Sequence, residues 1–332
     1  MNKRENYKVG FLIFSGFPMA CLTSMIEPLR AANEIAGVER FAWQLVAETP
    51  GKVVSSANVS FEPNCTLAEA KGLDALLLLS SPNAVFSNPR HGPAKLRELS
   101  RHGCKLGGIS GGVFPLVRAG LMDRQRCSVH WCYEAAFRAE FPQIDAVDDV
   151  IVTNAQRFTA SGAAAAFELA LHLIDQYFGP EIAYEVACWF QHTSMRGQGV
   201  RQRVPSVDSE GQLLPRLVSN AATLFANHIE DTISIADVAT QLDVSARHLE
   251  RAFKNATGQS PSHFYRAMRM KVARQLVLYS KDSLNEIAFA VGYSSVAPLK
   301  LHYHAAFGVK PREDRARINN FRVHENIPVP SI

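Results

Sequence analysis

Ser234-Ile-Ala-Asp-Val-Ala239-Thr-Gln-Leu-Asp243-Val-Ser245 and Ser283-Leu-Asn-Glu-Ile-Ala288-Phe-Ala-Val-Gly292-Tyr-Ser294 are two copies of one pattern. Ala239 and Ala288, Asp243 and Gly292, and Ser245 and Ser294 each stand 49 positions apart. A small Ala lets two helices cross closely, and Asp or Gly supplies a tight turn. Ser then caps the helix that would enter a major groove. One copy is a weak signal. Two copies in register, joined by a helical stretch, predict a pair of helix-turn-helix units.

The surrounding sequence agrees. From Leu217 the pattern is all-helical, with Leu217, Ala221, Leu224, Phe225 and Ile229 as one apolar stripe. Thr257-Gly258 ends the first reading helix, Ser245–Ala256, and Pro261 opens the next. Phe264, Met268, Val272 and Leu276 recur along that helix and predict a strut between the two units. Residues 213–332 hold 15 Lys+Arg and 10 Asp+Glu, whereas residues 1–212 hold 20 and 21. The basic excess therefore travels with the repeat, as a polyanionic partner requires.

Upstream, strands alternate with helices. Lys8–Phe14 and Ala75–Leu79 read as strands buried on both faces, and Lys105–Ile109 as a short strand running into glycines. Helices are expected over Met19–Glu34, Pro93–His102 and Gly162–Phe178. Continuous apolar strands between helices predict a doubly wound α/β parallel sheet, followed by the all-α part. Arg196–Pro215, rich in Gly, Gln and Arg, reads as the linker. The expected domains are 1–195 and 216–320, with a tail over 321–332.

At 332 residues the chain can bury two or three cores. No apolar run approaches the roughly 20 residues of a membrane helix, so a cytoplasmic protein without a membrane role is expected. The six cysteines show neither Cys-x-x-Cys nor zinc-finger spacing and read as small buried hydrophobes. Neither a cofactor nor a metal is expected.

The helical part resembles the AraC/XylS regulators over about 105 residues, carried by the two repeats and by the endings Ser260-Pro261 and Phe307-Gly308-Val309-Lys310-Pro311. The resemblance implies double-stranded DNA as partner, with Arg247 and Arg251 facing base edges. Arg can donate two bonds to guanine O6 and N7. Ser245 and Glu250 share that helix, and His248 and Lys254 are expected at phosphates. The second reading helix departs from the family pattern. Pro298 and Leu301 stand where polar residues are usual, leaving Ser294, Ser295, Lys300, His302 and His304 to hold phosphates. That half-site should be read weakly or through DNA shape.

Residues 7–180 resemble the PfpI/ThiJ branch of the class I glutamine-amidotransferase-like superfamily, a flavodoxin-like fold. The match is carried by Gly107-Gly-Ile-Ser110-Gly-Gly-Val-Phe114, Ala119-Gly-Leu-Met-Asp123 and Ser128-Val-His130-Trp131. The superfamily's enzymes carry a cysteine nucleophile where this chain has Ser110, with matches at His130 and Glu27. Gly108-Ile-Ser110-Gly-Gly112 also satisfies the Gly-x-Ser-x-Gly elbow of serine hydrolases. A hydrolase or amidase fused to a DNA-binding domain is therefore the rival reading. Against it, Asp123 is the sole acid between Ser110 and His130, and Pro82 occupies the loop that should donate a second oxyanion N–H. The two halves together are similar to bacterial regulators that sense arginine, glycine betaine or carnitine. That implies no enzyme activity, and a small amine or amino-acid-derived effector. Glu27 would balance its cation, Trp131 would offer a ring face, and Ser110 and His130 would hold a carboxylate. A homodimer, contact with RNA polymerase and an activator role follow from the same resemblance. A first domain that only dimerises is the third reading.

Overall fold

The apolar run Tyr7–Ile13 forms β1, an interior strand of a seven-stranded sheet. In the computed structural model, which describes residues 6–123, 125–192, 199–202 and 214–321, the chain divides into two compact units that meet between Gln202 and Arg203. In the first unit α1 (Met19–Ala36) and β2 (Phe41–Ala47) follow β1, then the two-residue strands β3 (Val53–Val54), β4 (Ser60–Phe61) and β5 (Cys65–Thr66). Next come β6 (Ala75–Ser80), α2 (His91–Arg101), β7 (Lys105–Ser110) and α3 (Val113–Arg118). β8 (Arg126–Ser128), a short turn of 3₁₀ helix at Trp131–Tyr133, α4 (Glu134–Glu140) and β9 (Asp145–Val147) continue the chain. β10 (Ile151–Thr153), β11 (Arg157–Ala160), α5 (Ala163–Phe178) and α6 (Pro180–Trp189) complete the unit.

The strand order is β10-β11-β7-β6-β1-β2-β5. All neighbours are parallel except β10, which runs antiparallel to β11 at one edge. Alternate residues explain the continuous apolar runs. Val9, Phe11, Ile13, Ala75, Leu77 and Leu79 pack with α1, α5 and α6 on one face. Leu12, Leu76 and Leu78 pack with Leu96, Leu99, Phe114 and Phe137 on the other. A sheet covered on both faces binds ligands outside the carboxyl ends of its strands, where the strand order reverses. The ends of β1, β6 and β7 bring Phe14, Ser80 and Ser110 to that edge.

Four cysteines are buried as expected, but Cys65 is half-buried and Cys188 exposed. The expected linker begins too early. Val200 accepts a bond from Val150 N (2.7 Å) and Gln202 N donates to Asp148 O (2.7 Å), so residues 199–202 belong to the first unit. Most of the remaining linker, and the tail from residue 322, lie outside the described residues.

The second unit is helical: α7 (Arg216–Asn227), α8 (Ile235–Gln241), α9 (Ala246–Thr257), α10 (Pro261–Tyr279), α11 (Leu284–Ala290), α12 (Val296–Phe307) and α13 (Pro311–Phe321). Serines start several of these helices by accepting a backbone N–H. Ser234 takes Asp237 N, Ser245 takes His248 N, Ser260 takes His263 N, and Ser283 forms a capping box with Glu286. Val218, Ala221, Phe225, Val238, Leu249, Phe253 and Tyr265 make the first core. On α10 Tyr265, Met270, Ala273, Leu276 and Val277 are buried. Of the expected stripe, Leu276 is buried, Phe264 and Met268 pack partly buried against the first core, and Val272 is half-buried.

Candidate DNA-reading surface and effector site

The two repeats hold a 49-residue spacing through the first helix and the turn. Ser234 and Ser283 cap, Ala239 and Ala288 are buried, and Asp243 (φ 54°) and Gly292 (φ 73°) take the left-handed turn. Val244 N bonds Ala239 O as Tyr293 N bonds Ala288 O. Beyond that the spacing becomes 50. Leu249 and Phe253 are the buried residues of α9, and Leu299 and Tyr303 those of α12; both helices have 12 residues and end at a left-handed Gly, Gly258 and Gly308. The second turn therefore carries one extra residue. Ser245 corresponds to Ser295, which stands at the N-cap without a side-chain bond, and Ser294 precedes the helix instead of capping it.

On α9, Arg247, His248, Glu250, Arg251 and Lys254 are exposed, opposite Leu249 and Phe253. The Lys254 ammonium donates to Gly258 O at 2.9 Å and so closes its own helix end. On α12, Lys300 and His304 are exposed, as are Ser294 and Ser295 before it. His302 is half-buried. Its Nδ1 pairs with the Tyr293 hydroxyl at 2.8 Å, and burial, then Arg266 and Arg269, lower its pKa. Leu301, by contrast, is 69% exposed.

Arg269 of the strut was missed by pattern reading. It donates to Val291 O and Gly292 O, both at 2.7 Å, and its guanidinium lies 4.1 Å from the Tyr293 ring centroid. One turn earlier, Tyr265 donates its hydroxyl to His228 O and accepts from Ile233 N. The turn of the second repeat also sits directly on the first. A Cβ at Gly292 would come within 2.5 Å of Thr232 Cγ2 and 2.8 Å of the carbonyls of Ile229 and Glu230.

In the first unit, Ser110 ends β7 with φ 56°, in the left-handed region, and is buried. Gly111 and Gly112 make this elbow possible, since a Cβ at Gly112 would lie 1.8 Å from Leu78 O. Among the described residues the Ser110 hydroxyl has no hydrogen bond, to His130 or to any other group. His130 Nδ1 accepts the Cys132 N–H at 3.2 Å, and burial lowers its pKa to about 4. The ring is therefore neutral at pH 7, with its proton on Nε2, a donor and not a charged partner. Asp123 is exposed and lines a separate surface groove with Gln125, Asn154 and Arg157. The loop after β6 is held by its carbonyls, since Arg118 Nη1 donates to Pro82 O and Ala84 O at 2.8 Å.

Glu27, on α1, is half-buried. Its side chain is 47% exposed and ion-paired at 2.9 Å with Arg30 of the same helix. Trp131 is half-buried, with its ring centroid 5.5 Å from that of His130. Gln202 clamps this loop from both sides, accepting from Trp131 N (2.9 Å) and donating to Val129 O (2.7 Å).

Two linked helix-turn-helix units behind an α/β unit define a DNA-binding transcriptional regulator. A helix-turn-helix domain model matches residues 238–317. The chain is similar to the HTH-type transcriptional regulator GbdR of Pseudomonas aeruginosa, 31% identical over 94% of this chain and 85% of the relative. It is similar to ArgR of the same organism, 31% identical over 93% of this chain and 92% of that one. A crystal structure of an AraC family transcriptional regulator from Pseudomonas putida covers 55% of this chain and 99% of its own, with 26% identity and a TM-score of 0.50. The chain belongs to the AraC-type family of HTH transcriptional regulators. Its relatives are regulators, not enzymes.

Proposed function

We propose that this regulator acts in the cytoplasm as an effector-responsive activator. The first unit takes a small amine or amino-acid-derived metabolite in a pocket without catalysis, at the ends of β6 and β7. The observation that carries this is Ser110, a non-glycine residue in the left-handed region at the sheet's ligand edge with its hydroxyl unbonded among the described residues. Backbone strain of this kind costs about 1–3 kcal/mol and persists where a site needs it. The Ser110 hydroxyl, unpaired with His130 among the described residues, and the His130 Nε2–H suit a carboxylate. Trp131 offers ring area beside them.

In the second unit, α9 reads bases through Arg247 and Arg251. His248, Lys254, Lys300, His304 and the serines before α12 approach phosphates. Exposed Tyr184 and Trp189 on the outer face of α6 support a homodimer through the first unit, with RNA polymerase as a further partner of the DNA-bound form.

A thermal-shift panel of amino acids, glycine betaine, carnitine and related amines tests the sensor. A ligand at 100 times its Kd adds about 2.7 kcal/mol to the unit that binds it. A hit that vanishes in His130→Ala and Ser110→Val supports the pocket. A panel without any shift, or a hit indifferent to both variants, refutes it.

A further inference from the structure

The one-residue slip in the second turn changes which side chains correspond. With Ser245 matched to Ser295, Leu249 to Leu299 and Phe253 to Tyr303, Arg247 corresponds to Ala297 and Arg251 to Leu301. Both positions of each pair are exposed. Lys254 corresponds to His304, so a cationic or polar group still flanks the pair on each helix. The face of α12 that matches the arginine face of α9 is thus apolar, and its most exposed member is a leucine with 69% of its surface open.

A leucine held out to water on a helix whose family places it at DNA loses nothing by contacting an apolar group there. The major groove offers one such group, the C5 methyl of thymine. We propose that α12 reads thymine methyl groups through Leu301 and Ala297, so that the second half-site is specified by apolar contact and not by DNA shape alone. Lys300 and His304, exposed beside them, suit phosphates and orient the helix. This rests on the reading of α9 and α12 as groove-entering helices. It assigns a base chemistry to the second one: the first repeat selects guanine by donated bonds, the second selects thymine by its methyl.

The test uses the full chain. Selection from randomised duplexes defines the preferred site, and each thymine in it is then replaced in turn by deoxyuridine, which lacks only the methyl. One buried methyl is worth about 0.8 kcal/mol, or about fourfold in affinity. The expected result is a thymine at which deoxyuridine weakens wild-type binding about fourfold and leaves the Leu301→Ala chain unaffected. Leu301→Arg, equally harmless to the fold at an exposed position, should shift the preference there toward guanine. Wild-type binding indifferent to every deoxyuridine, or an unchanged penalty in Leu301→Ala, overturns the proposal while Arg251→Ala still alters the first half-site. A chain that selects no sequence at all overturns the groove-reading assignment and the proposal with it.

Discussion

Asp314 of α13 holds Arg274 of the strut at 2.9 Å, with the two side chains 3% and 13% exposed. The same carboxylate accepts the Tyr303 hydroxyl at 2.8 Å, so one acid ties strut, second reading helix and last helix together. Removing one member of a buried pair strands the other. Asp314→Ala should therefore cost about 3–5 kcal/mol. Urea unfolding of the full chain, followed by loss of DNA binding, checks this. An unchanged transition for the second unit would show that the pair is stabilised by water instead.

Arg251→Ala should relax specificity at one base of the operator and cost about 1–3 kcal/mol there. Binding-site selection with wild type and variant reads it directly. An identical base preference in both would refute base contact by Arg251.

Folding should weaken in mild acid because of His130. The unfolded imidazole protonates near 6.5, whereas burial holds the folded one neutral down to about 4. Between those values the unfolded state binds the proton and the folded state does not, so stability falls as pH falls through the window. The loss is roughly 3 kcal/mol when complete. His302 shifts in the same direction, so the measurement is differential. Urea unfolding at pH 7.5 and 5 should show a smaller acid loss in His130→Asn than in wild type; equal losses would show His130 to be already protonated in the fold.

Glu27→Gln should leave the effector response unchanged, because the Glu27 carboxylate is already paired with Arg30 one turn along α1. Its surface pair contributes about 0–1 kcal/mol. Loss of the thermal shift in this variant would return Glu27 to the site.

Why some of this was legible follows from particular residues. The runs of β1, β6 and β7 are apolar at most interior positions because both faces are covered. The serine caps and Gly258 announced the helices of the second unit. The two-residue strands β3, β4 and β5 carry no periodicity, and α6, whose outer face is Tyr184, Glu185 and Cys188, hides its amphipathic pattern. The buried pair of Glu168 with His192 at 2.7 Å joins residues 24 apart that no local pattern connects. The slip at Ser294 was ambiguous because Ser294 and Ser295 both suit a cap. Only the 50-residue spacing of Leu249 with Leu299 and Phe253 with Tyr303 gives it away, and that signal lies in the core, not in the turn.

Gly292 sets the second turn against the Ile229–Thr232 segment, and Arg269 bonds that turn to the strut, so the two readers are tied together. Such a body measures DNA like a fixed caliper. One added base pair between half-sites turns the second groove by about 34° and carries it about 3.4 Å away. A jointed protein would recover when a full turn is inserted, because the phase returns. This one should not, since phase is restored about 34 Å beyond its reach. If both helices enter grooves, its operators should keep one length, with the burden of any misfit falling on bending of the duplex.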